Sequence, residues 1–89
     1  MPYIKKEDRK KYDTKINALV EVLKQNELIK VGDLNYIVTK LIWGLLEDSL
    51  NYSNANAIVG MLECCKLELY RRVIAKYEAQ KIEENGDVY

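Results

Sequence analysis

From Ser53 to Asn85 the chain has no proline and a single glycine, Gly60, so more than a third of its 89 residues can run as one helix. At 1.5 Å per residue such a helix is about 48 Å long. A compact domain of this length is only about 30 Å across, so its own chain cannot wrap a straight helix of that size. The helix must protrude or be covered by another subunit. The constraint bears on architecture and assembly first, and on chemistry only through the faces it leaves open.

Eighty-nine residues allow one small domain, slightly above the size at which a single core suffices, so association would help it. A hydrophobic share of 48% is ordinary for a globular chain and argues for folding. Formal net charge is zero, with 14 basic and 14 acidic residues, which removes the basic excess of a general nucleic-acid binder, and no nucleic-acid partner is expected. The charge is unevenly spread. Residues 1–15 carry Lys5, Lys6, Arg9, Lys10, Lys11 and Lys15 against Glu7, Asp8 and Asp13, a net of +3. Residues 78–89 carry Glu78, Glu83, Glu84 and Asp87 against Lys81, a net of −3. These are a solvated head and tail, or they steer subunits head to tail in a way that salt would weaken.

Three helices are expected. Ile16, Leu19, Val20 and Leu23 recur at helical spacing behind Asp13, a candidate N-cap, and predict helix 1 over 13–26. Residues 1–12 form a polar arm or a short helix. Leu28, Ile29 and Val31 make an apolar connector ending at Gly32-Asp33, where glycine suits a turn and Asp33 a cap for helix 2 over 33–48. In that helix Leu34, Ile37, Val38, Leu41, Ile42, Leu45 and Leu46 sweep about 180° of a wheel, which marks it as the central core helix. Ser53 or Asn54 then caps helix 3 over 54–85, and Gly86 is expected to end it in the left-handed conformation. The fold class is all-α, a single three-helix domain with a long carboxy-terminal helix, assembled through helix–helix contacts into a homo-oligomer.

Two surfaces could carry function. On the long helix Ala55, Ile58, Val59, Leu62, Cys65, Leu69, Val73 and Tyr77 fall within about 120° and predict an intramolecular core stripe. Beside it lies a second row, Asn56, Glu63, Leu67, Tyr70 and Ile74. Either helices 1 and 2 cover both, or the second row is a subunit interface, which is the favoured reading. On helix 2, Tyr36, Lys40, Trp43 and Glu47 stand at i, i+4, i+7 and i+11, with Gly44 beside them opening the backbone to close approach. That row packs under other parts of the chain, forms a protein-binding patch, or takes a small ligand, with rings to stack a base and Lys40 to meet a phosphate. The chain has seven tyrosines, one tryptophan and no phenylalanine, so every ring can hydrogen-bond, which leans toward interfaces or ligand contact.

Catalysis is disfavoured. Without histidine, Ser-His and Cys-His arrangements are excluded within the chain, and no glycine-rich phosphate loop occurs. A magnesium-dependent nucleoside triphosphate pyrophosphohydrolase would need paired acidic motifs. Only Glu84 and Asp87 have such spacing, and Glu63, Glu68, Glu47 and Asp48 do not form one cage. No metal site and no cofactor is expected. Cys64 and Cys65 are adjacent and diverge by about 100° on a helix, so they are expected as buried, reduced thiols rather than a disulfide. The opening residues lack an apolar signal segment and no run reaches the about 18 apolar residues of a span, so a cytoplasmic protein with no membrane partner is expected.

The runs Met1-Pro2-Tyr3-Ile4, Gly32-Asp33-Leu34-Asn35-Tyr36, Ser53-Asn54-Ala55-Asn56-Ala57-Ile58-Val59-Gly60, Leu67-Glu68-Leu69-Tyr70-Arg71-Arg72-Val73 and Glu84-Asn85-Gly86-Asp87-Val88-Tyr89 resemble those of an uncharacterised small helical family encoded by tailed bacteriophages and some bacteria. The resemblance covers almost the whole chain and implies a short helical protein, in the host cytoplasm if phage-encoded, with no activity to carry over. In size and class alone the chain is also similar to phage proteins that sequester nucleotide messengers of bacterial immunity without catalysis. Such a site would combine rings with cations: Tyr70, Arg71, Arg72 and Lys76, or Tyr36, Lys40 and Trp43. The sequence therefore leads to a stoichiometric binding protein for a small nucleotide, with an adaptor or inhibitor of a host protein as the alternative.

Overall fold

The computed structural model describes residues 2–25 and 28–89, and no strand occurs among them. The helices are α1, Lys6–Leu23, α2, Val31–Leu46, α3, Tyr52–Leu69, and α4, Ala75–Asn85; a single π-helical turn, Tyr70–Ile74, joins the last two. The chain divides into two compact units, Pro2–Asn51 and Tyr52–Tyr89.

In the first unit α1 begins seven residues before the expected start at Asp13. Lys6 to Tyr12 contain no glycine, proline or β-branched residue to oppose the helix, and Glu7 and Asp8 place negative charge on its first turn. Asp13 is thus an interior residue and caps nothing. The Arg9 guanidinium donates its Nε–H to the Ile4 carbonyl at 2.9 Å, tying the entering chain to the first turn. At the other end Lys24 donates its N–H to the Val20 carbonyl at 2.9 Å and closes α1. The expected last residue, Asn26, lies outside the described residues.

The second helix starts at Val31, with Lys30 in an extended conformation before it. Gly32 is therefore inside the first turn, and Asp33 is a first-turn carboxylate favoured by the helix dipole rather than a cap. It ends at Leu46, two residues short of Asp48. The central-core expectation for this helix is not met: Ile37, Ile42 and Leu46 are half-buried, whereas Leu34, Leu41 and Leu45 are exposed. A unit of two helices can cover only one side of either.

The second unit is one unbroken helical run from Tyr52 to Asn85, starting two residues before Asn54, so Ser53 and Asn54 lie in its first turn. Within the run the Ala75 N–H donates to the Tyr70 carbonyl, five residues back, while Leu69, Ile74 and Ala75 keep helical dihedrals. The helix widens for one turn and then resumes its α period at Ala75. At the end Gly86 donates to the Ile82 carbonyl at 2.8 Å. Its φ of 89° is positive as expected, but its ψ of 148° is extended rather than left-handed helical, a region open only to glycine.

Candidate contact faces

The expected intramolecular core stripe of the long run is open. Ala55 and Ile58 are half-buried, and Val59, Leu62, Cys65, Leu69, Val73 and Tyr77 are exposed. The unit holds no second element against which they could pack. Both thiols are exposed and free, contrary to the expectation of burial, and the Cys65 sulfur lies 3.4 Å from that of Met61.

The π-turn changes which residues share a face. A uniform wheel advances about 100° per residue, and a turn holding roughly one extra residue delays all later positions by nearly that angle. Ile74 swings from the second row into the stripe beside Leu62, and Tyr70 follows part of the way. Glu63 and Leu67 remain at the flank with Asn56. The row inferred from the sequence is thus split after Leu69.

The electrostatics of Tyr70 accord with this rotation. The Tyr70 hydroxyl donates to the Glu78 carboxylate, eight residues on, a pair that an unbroken helix sets about 80° apart and the π-turn brings nearly into line. That bond, with the repulsion an ionised phenol would meet from the same carboxylate, holds the Tyr70 phenol above its ordinary range. Its neighbour Arg71 is engaged elsewhere, its guanidinium 2.8 Å from the Glu68 carboxylate. Arg72 and Lys76 share a side of the run roughly opposite to Tyr70. The structure therefore does not gather Tyr70, Arg71, Arg72 and Lys76 into one cluster.

The helix 2 row fares differently. Tyr36 is 66% exposed and Trp43 49%, with Lys40 exposed between them and Glu47 just past the last turn. A Cβ added at Gly44 would meet nothing within 4 Å, so none of the described residues makes the close approach this glycine permits. Tyr36 also borders an open groove of about 780 Å³, floored by apolar side chains of α1, the connector and α2, among them Val20, Leu23, Leu28, Ile29 and Leu34. This groove was legible only as an apolar connector; the opposing α1 wall depends on how the chain turns.

No group of three or more Asp, Glu or Cys side chains converges as a metal cage among the described residues. No helix among them is long and apolar enough to cross a membrane.

These elements define a small all-helical protein whose apolar and aromatic faces stand open for contact. Residues 1–88 match a family described as a domain of unknown function, DUF6899, and the chain belongs to it. No curated protein and no solved structure matches the chain.

Proposed function

We propose that this is a non-catalytic binding protein that acts by stoichiometric contact, and that its working form is a homo-oligomer joined through the long helical run. The observation that carries this reading is the exposure of Val59, Leu62, Leu69, Val73, Ile74 and Tyr77 along a unit that is one helix. Helices in proteins owe most of their stability to packing of an apolar face, and a π-turn adds a local cost that an isolated helix has nothing to offset. A subunit partner supplies that packing. Native mass by light scattering should exceed one chain and fall to it in Leu67→Glu or Ile74→Glu, with helical circular dichroism largely kept. A monomeric wild type, or an unchanged mass in both variants, contradicts the reading.

A second reading is favoured by the exposed Tyr36, Lys40 and Trp43 row: a small nucleotide ligand, its base stacked on the rings and its phosphate met by Lys40. In this reading the protein sequesters nucleotide signals, as a phage-encoded inhibitor of bacterial immunity would. Trp43 is the only tryptophan, so its fluorescence reports on this row alone. Titration with cyclic and linear nucleotides should quench it, and an unchanged spectrum across the panel ends this version while leaving self-assembly untouched.

A further inference from the structure

We propose that the Tyr52–Asn85 run docks a second copy of itself antiparallel, in a register whose two-fold axis passes beside Arg72, in the middle of the π-turn. This inference rests on the reading that the run is the assembly surface, and adds the geometry. Its first support is the charge order. Counting outward from Arg72, Lys66 and Glu78 stand at equal distance with opposite sign, and so do Glu63 and Lys81. An antiparallel two-fold pair places each of these residues against its opposite, whereas an in-register parallel pair places each against its own copy. The same rule sets Tyr70 against Ile74 at the centre.

The second support is the π-turn itself, Tyr70–Ile74, whose midpoint is Arg72. The outermost pair of the register is Leu62 with Ile82. On a uniform wheel the eight residues of the four pairs spread over about 200°, too wide for one helix–helix seam. The delay of one π-turn draws all eight into about 110°. Arg72 is carried to the opposite side, so the two central arginines do not meet across the axis. Lys66 already lies 3.1 Å from Glu63, so each half of the seam would hold Glu63 and Lys66 facing Lys81 and Glu78 of the second copy, alternating in sign. Opposed charges repeated about a point are what a second copy requires; a foreign partner imposes no such symmetry.

Cross-linking of the full chain tests the register. In a Cys64→Ser, Cys65→Ser background, Tyr70→Cys and Ile74→Cys variants carrying different tags are mixed and oxidised. The mixed 70–74 disulfide should form, and like pairs, 70–70 or 74–74, should not dominate. Because those changes thin the centre of the seam, a second measurement uses charge alone. Lys66→Glu should weaken association at least about tenfold, and Lys66→Glu with Glu78→Lys should restore it to within about threefold. Dominant like-pair cross-links, or an oligomer indifferent to the swap and its reversal, overturn the antiparallel register while self-assembly stands. A wild-type mass of one chain overturns both.

Discussion

In the Pro2–Asn51 unit, apolar side chains from two helices stand across a groove; in the Tyr52–Tyr89 unit the apolar side chains of one helical run have no element to meet. The first unit half-buries Leu23, Ile37, Ile42 and Leu46. The second is shorter, but it is a single helical run that leaves Val59, Leu62, Leu67, Leu69, Val73 and Ile74 exposed and owns no second element to cover them. The contrast separates local folding from assembly. The two-helix unit half-buries some side chains of its own, while a lone amphipathic run has no packing of its own to lose.

The strongest way to break that contrast is Ile74→Glu. A charge set into a helix–helix seam should weaken association about a hundredfold, roughly 3 kcal/mol, and remove the concentration dependence of the melting temperature. Sedimentation and melts at several concentrations measure both. Next in size is Leu23→Ala, which removes a half-buried side chain from the α1 wall of the groove. It should cost about 1–2 kcal/mol without altering native mass, because the loss is internal to its unit. A mass change there would erase the distinction between the units.

Gly60→Ala should raise stability by up to about 1 kcal/mol, since a Cβ there meets nothing within 4 Å and alanine favours the helix. A lower melting temperature in the assembled protein would instead place a partner backbone against Gly60. The smallest effect concerns Tyr70. Its raised pKa means that the contribution of its bond to Glu78 is intact below the ordinary tyrosine range and is lost as pH rises through the raised value. Ultraviolet titration should show the Tyr70 phenol ionising above the ordinary tyrosine value, and Glu78→Gln should lower it.

Helix 3 was legible because nothing between Ser53 and Asn85 interrupts it, and its end at Asn85 was legible from Gly86. Starts were less legible. Asp13, Asp33, Ser53 and Asn54 all have capping side chains, but each helix begins before them: α1 extends through the helix formers of Lys6–Tyr12, α2 begins at Val31 despite Gly32, and α3 begins at Tyr52. The Tyr36, Lys40 and Trp43 row was read correctly as one face of a helix, though whether it was covered was not decided by spacing. The second row on the long helix was misassigned beyond Leu69 because the wheel assumed one period throughout. Adjacent β-branched Val73 and Ile74 are the only local sign of a widened turn, and a weak one.

The sequence by itself determined that the chain is helical, where its long run ends, and that the run bears more apolar surface than a single face needs. Periodicity and breakers act within a few residues and are written in order along the chain. Only the tertiary structure decided that both thiols and the supposed core stripe lie open, and that a π-turn interrupts the long run at Tyr70–Ile74. Burial depends on what stands opposite a side chain, and the phase of a helix accumulates over its whole length, so one π-turn in the middle reassigns every residue after it.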